Sequence, residues 1–232
     1  MFAQNPALPT AAERQRSILR NVYVWMPAAL LVTGGVAYST ASNEKLLGLL
    51  FSTNYSFFIV LAAQLGIVVL LSRHIMRLSV PAASAAFAVY AALNGVTMSV
   101  VFLVYADSSI AMTFFITAGT FAGMSLYAIS TKRDLSGWGT YLGMGLWGIL
   151  IASLANIFLK SSGLDWLISL AGVAVFTGLT AYDTQRIKKW DKEGTLNESD
   201  FVRLSIIGAL HLYLDFINLF LDLLKLFGKS RD

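Results

Sequence analysis

Leu146-Trp147-Gly148-Ile149-Leu150-Ile151-Ala152-Ser153-Leu154-Ala155-Asn156-Ile157-Phe158-Leu159 carries no charged side chain and does not alternate apolar with polar residues. A strand crossing a membrane as part of a barrel would alternate over about 10 residues. A spanning helix instead needs about 20 mostly apolar residues, and this stretch reaches that length when it is followed back to Trp138. Backbone amides in hydrocarbon must be satisfied within their own segment, so the segment is read as a helix.

The same pattern recurs on both sides of it, at 21–40, 55–72, 80–105, 109–130, 138–159, 165–187 and 203–227. The sequence therefore predicts an all-α integral membrane protein, a bundle of seven transmembrane helices. Composition agrees: 56% of residues are hydrophobic and 13% charged, against roughly 45 to 50% and about 25% in a soluble domain. With 232 residues the chain suffices for one compact bundle. We divide it into a cytoplasmic N-terminal tail at 1–20, a transmembrane domain at 21–228 and a C-terminal tail at 229–232. Residues 1–20 hold no continuous apolar core, so they read as a retained tail rather than a cleaved signal.

The absence of cysteine excludes disulfides, thiolate metal sites and cysteine nucleophiles. The net charge of +4 does not imply nucleic acid, because lysines and arginines gather in the loops on one side of a membrane. Arg14, Arg16, Arg20, Arg73, Arg77, Lys132, Arg133, Arg186, Lys188, Lys189, Lys192 and Arg203 fall on one side, against Lys45, Lys160, Lys225, Lys229 and Arg231 on the other. That excess predicts an N-terminus inside the cell and, after seven spans, a C-terminus outside. Gly119 with Gly123 and Gly139 with Gly143 have the small-residue spacing that lets helix backbones approach.

An ionisable residue within a membrane helix costs at least about 2.5 to 3.5 kcal/mol at the bilayer centre and is a functional candidate by default. Asp183 lies near the inner end of the sixth span, Asp215 in the middle of the seventh, and Asp222 two turns later. Spans six and seven are consecutive and antiparallel, so Asp183 and Asp215 can face one another and share a proton, titrating as a unit. Taken singly, each is also readable as a buried carboxylate satisfied by a neighbouring hydroxyl. His211 stands four residues before Asp215, on the same helical face, and is either a proton partner or bonded within the bundle. Depth is the obstacle to the pair: Asp215 is some 18 Å, at 1.5 Å per residue, from the inner end of its span, a gap that closes if span seven sits low or begins in the cytosol. Arg73 and Arg77 close span two on the side of Asp183, as topology determinants or as a cationic latch on the aspartates.

Four motifs in order then give a resemblance: Ser130-Thr131-Lys132-Arg133-Asp134-Leu135-Ser136, Ala155-Asn156-Ile157-Phe158-Leu159, Thr180-Ala181-Tyr182-Asp183-Thr184-Gln185 and Leu212-Tyr213-Leu214-Asp215-Phe216-Ile217-Asn218-Leu219-Phe220. In these the chain resembles the Bax inhibitor-1 family, also called the transmembrane Bax-inhibitor-motif or lifeguard family, in its bacterial branch. The resemblance implies a last helix at the centre, wrapped by the other six as two three-helix layers. It further implies a pH-sensitive calcium leak in a bacterial cytoplasmic membrane, with Asp183 and Asp215 as the pH sensor. The latch is expected at Arg77, with Arg73 second. The loop from Arg186 to Arg203 departs from the family in its length and charge.

Calcium is a hard cation that takes carboxylate and carbonyl oxygens, which Asp183, Asp215 and Asn218 could offer in passing; Asp222 and His211 are further pore candidates. No tightly bound cofactor is expected. The expected partners are the lipid bilayer, calcium ions and protons. The competing readings are a modulator of a membrane protease or stress response that transports nothing, an intramembrane aspartyl protease, and a retinal protein. The protease type carries Gly-x-Gly-Asp where this chain has Leu212-Tyr213-Leu214-Asp215, and the only lysine of span seven, Lys225, is too near its end for a Schiff base. We therefore expect no enzyme.

Overall fold

The computed structural model describes residues 11–53, 55–190 and 196–231. The first ten residues of the expected tail, with Asp191, Lys192 and Glu193 of the charged loop, lie outside them. The elements in order are α1 (Ala11–Ala41), α2 (Glu44–Leu50), α3 (Ser56–His74), a 3-10 turn (Ile75–Arg77), α4 (Val80–Val104), α5 (Asp107–Ser130), α6 (Trp138–Leu159), α7 (Ser162–Lys189) and α8 (Glu198–Phe227). All but α2 and the turn are long and apolar enough to cross a membrane, giving seven spans. Two differences from expectation stand out: Ala11–Arg20, assigned to the tail, is the start of α1, and the short α2 sits between the first two spans.

Four of the helices begin where a polar side chain takes their free amides. Asn43 accepts from Lys45 and Leu46 at the start of α2, Ser79 from Ala82 at α4, Ser161 from Leu164 at α7, and Asn197 from Asp200 at α8. α6 ends on Lys160 in the left-handed region at φ 49°. There the Asn156 side chain accepts the Ser161 amide at 3.0 Å, so the Asn156 motif closes the α6–α7 turn.

α8 is the axis of the bundle. Within its apolar stretch 72% of residues are buried inside the protein, whereas in α6 none are. It packs on α1 and α4 to one side and on α5 and α7 to the other. α3 leans on α4, and α6 on α7, so α1, α4 and α3 form one three-helix layer and α5, α7 and α6 the second. Tyr213, fully buried on α8, meets Phe87 and Tyr90 edge-on. Its hydroxyl lies 2.7 Å from that of Thr33, which donates in turn to the Ala91 carbonyl. A buried polar group of this kind is tolerated because it is bonded.

The expected glycine contacts are corrected. A Cβ on Gly119, Gly123 or Gly143 would meet nothing within 4 Å, because α5 buries the face of Thr113, Thr117, Phe121 and Ser125 and turns its glycines outward. Of the four, only Gly139 is crowded, by the Tyr182 ring. The close approach of one helix backbone to another is at Gly95 of α4, where a Cβ would lie 2.6 Å from the Thr33 carbonyl oxygen of α1. Gly95→Ala is therefore expected to destabilise by about 1 to 3 kcal/mol through overpacking, while Gly119→Ala leaves stability unchanged or slightly higher. Thermal unfolding midpoints in detergent check this, and equal midpoints for the two variants would refute the close approach.

Candidate functional site

The depth obstacle between the two acids dissolves in the register of α7 against α8. Gly208 of α8 sits against Ile187 and Trp190, at the end of α7. From Gly208 to Asp215 is seven residues, about 10 Å of rise, and Asp183 lies four residues back from Ile187, about 6 Å. The two helices run in opposite directions, so the carboxylates come to neighbouring levels and act on one another electrostatically. α8 achieves this by starting at Glu198, about 15 Å before the level of Ile187; its first turns extend beyond the last turn of α7.

Both acids are buried, at 9% and 5% exposure. Asp215 Oδ2 is enclosed and has no hydrogen-bond partner. An ionised carboxylate left that way is costly, so this group is set for protonation or for a visiting cation. Asp183 has one cation at hand, Arg186, whose Nη1 is 3.9 Å from Oδ1 one turn along the same helix. Beside Asp183, the Thr184 hydroxyl reaches Tyr23 of α1 at 3.3 Å and Ser125 of α5 at 3.4 Å. Hydroxyls of three helices thus converge at the level of the pair.

The other sequence candidates are placed as follows. His211 lies one turn from Asp215, with its ring against Trp190 and its Nδ1 enclosed without a hydrogen bond. Arg73 and Arg77 are exposed, and among the described residues neither makes an ion pair. The turn that carries Arg77 nonetheless packs against α8. Asn218 and Asp222 do not join the aspartate pair: they line a separate cavity of about 250 Å³ near the far end, between α6, α7 and α8. The Asn218 amide donates to the Leu214 carbonyl at 2.8 Å. Gly172 faces the Asp222 carboxylate so closely that a Cβ there would collide with it. At that same end residues 228–231 strap onto the α4–α5 turn, with Lys229 accepting from Ala106 at 3.0 Å and Arg231 donating to Val104 at 2.8 Å.

Two of the sequence motifs turn out to hold each other. The Gln185 side chain accepts the Leu135 amide at 2.8 Å and donates to the Arg133 carbonyl at 2.9 Å. Lys188 donates to the Ile129 carbonyl at 2.7 Å, and Lys189 bonds to Asp134 and Ser136. The bond from the Lys189 ammonium, with those from Ser136, holds the Asp134 carboxyl well below the usual carboxylate range. Sequence reasoning gave no role to Arg186 or Gln185; the i+3 spacing of Arg186 from Asp183 was an available signal, whereas the partners of Gln185 lie some 50 residues away. Gln185→Leu leaves the Leu135 amide without its acceptor and is expected to cost about 1 to 3 kcal/mol of local stability. Faster amide exchange confined to 131–137 would show it, and unchanged exchange would deny Gln185 this anchoring role.

Among the described residues no three of His, Asp and Glu converge in a way that could hold a metal ion. The pair is two carboxylates, not a closed cage.

The family model described as "Inhibitor of apoptosis-promoting Bax1" matches residues 15–232. The chain is 47% identical to the inner membrane protein YbhL of Escherichia coli strain K12, over 93% of each chain. It is 45% identical to an uncharacterized protein of Borreliella burgdorferi, covering 95% of this chain and 97% of that one. An uncharacterized protein of Deinococcus radiodurans is 42% identical, over 95% of this chain and 93% of its own.

Proposed function

This chain belongs to the family of inhibitors of apoptosis-promoting Bax1, and from that premise we propose that it is a pH-sensitive calcium leak, gated by Asp183 and Asp215. The observation that carries the reading is the α7–α8 register, which brings two buried acids together and leaves Asp215 Oδ2 without a partner. Two carboxylates in one dry site are not cheaply ionised together. A proton entering the pair removes charge from Asp183 and with it the attraction to Arg186 on the same helix, and the Arg186 side chain is freed to move from the path. At neutral pH the ionised Asp183 keeps Arg186 beside it and the path closed. Calcium passing through would take carboxylate oxygen from the pair.

One of these relatives, of Escherichia coli, is named for the inner membrane. On that likeness and the excess of lysine and arginine on one side, we place the chain in a bacterial cytoplasmic membrane with its N-terminus inside.

Reconstitution of the protein alone into liposomes tests the reading. Calcium flux should exceed sodium and potassium flux and rise as the pH falls from neutral to mildly acidic. If no cation moves at any pH, the protein acts instead on another membrane protein, such as a protease. The latch separates by substitution: Arg186 has the ion pair, and Arg77 has only its turn against α8. Arg186→Ala is expected to raise leak at neutral pH more than Arg77→Ala or Arg73→Ala. The reverse order would return the latch to the 3-10 turn.

A further inference from the structure

Two adjoining cavities open under the α5–α6 turn, and they differ in character. The first, about 350 Å³, is lined by Lys132, Arg133, Lys188 and Lys189, with Asp134 as its one acid. Lys189 already holds that acid, and Lys188 spends one donor on the Ile129 carbonyl, keeping others. Lys132 and Arg133 are exposed and make no ion pair among the described residues. The first cavity is thus a cationic recess whose charge is not neutralised from within. The second, about 300 Å³, shares Arg133 and Asp134 with it but is otherwise walled by Met124, Tyr127, Trp138 and Leu142. Tyr127 and Trp138 are exposed, at the ends of spanning helices, where aromatic rings mark the boundary between headgroups and hydrocarbon.

We propose that these cavities together bind one anionic phospholipid, its phosphate among Lys132, Arg133, Lys188 and Lys189 and the upper part of an acyl chain along Tyr127, Trp138 and Leu142. A polar, cationic recess continuous with an apolar one, at the depth where a lipid changes from headgroup to chain, matches both halves of such a molecule. Basic recesses between membrane helices take anionic headgroups for this reason. A free phosphate would use only the first cavity, and a zwitterionic lipid would bring no net charge to it. Occupancy would brace the α5–α6 turn against the end of α7, one turn from Asp183.

The test uses the full-length protein in a nonionic detergent. It is titrated with dioctanoyl phosphatidylglycerol, with dioctanoyl phosphatidylcholine and with inorganic phosphate, and bound lipid is counted by native mass spectrometry. Phosphatidylglycerol should bind with one molecule per chain, and neither phosphatidylcholine nor inorganic phosphate should displace it at equal concentration. Lys132→Gln and Arg133→Gln should each weaken it about fivefold, and Trp138→Ala should weaken it without creating a preference for phosphate. Both basic side chains are exposed, and gel filtration of each variant confirms folding. Displacement by phosphate would reduce the site to a phosphate recess, equal binding of phosphatidylcholine would remove its charge selectivity, and unchanged binding in both basic variants would place the lipid elsewhere. Each of these overturns the proposal.

Discussion

Asp183→Asn is expected to leave the protein leaking calcium at neutral pH at about the rate the wild type reaches only in acid, with little further response to pH. The amide has nearly the shape of the protonated acid and cannot ionise, so it fixes the state that acid produces. Asp183 sits where α7 meets α8, at 9% exposure, with Arg186 3.9 Å away and half-exposed. An ion pair that open contributes at most about 1 kcal/mol. Its loss alone thus shifts a closed–open balance by a factor of about five at most. The measurement is calcium flux against pH in proteoliposomes at matched protein density. Wild-type flux with a wild-type pH profile in Asp183→Asn would make this residue a structural acid.

The seven spans were legible because hydrophobic length is a local property: each stretch long enough to cross a bilayer is written contiguously, as Leu146 to Leu159 is. The central place of the last helix came from the resemblance to the family, and the structure agrees, with α8 between two three-helix layers. What the sequence hid depends on register between segments. Asp215 read alone is far deeper than Asp183, and only the seating of Gly208 on Ile187 and Trp190 brings them level. Asn218 and Asp222 share a helical face with Asp215, yet a helix of that length passes one neighbour at one end and another at the other, so they meet a different cavity. The glycine pairs misled for a related reason: spacing along a helix says which residues share a face, not which face is covered.

The stitch between Gln185, Lys188, Lys189 and the 130–136 motif also separates cleanly from the gate. Asp134 is held well below the usual carboxylate range by the Lys189 ammonium. A contact resting on a lowered carboxyl is complete at neutral pH and is lost only as pH falls through that lowered value. Mild acid that loads the aspartate pair therefore leaves the α5–α6 turn tied to α7.

Asp215→Asn should flatten the pH dependence as well, but with the opposite effect on the amount of calcium passed. Asp215 is the deeper member of the pair, its Oδ2 enclosed without a partner on the axis helix. Replacing it leaves one acid where two shared a proton, so the titration of the pair as a unit is lost and the pH signal is expected to fade. The same replacement exchanges a charged oxygen for a neutral amide at the position proposed to meet the ion. A calcium ion stripped of water there depends on carboxylate oxygen for compensation, and each 1.4 kcal/mol of lost compensation is a tenfold loss of rate. Maximal flux is therefore expected to fall by about tenfold or more, where Asp183→Asn keeps it high. Combining the two substitutions separates gate from ligand. The double variant should be insensitive to pH, as both singles are, and should pass as little calcium as Asp215→Asn alone. If it passes as much as Asp183→Asn alone, Asp215 serves the proton and not the ion.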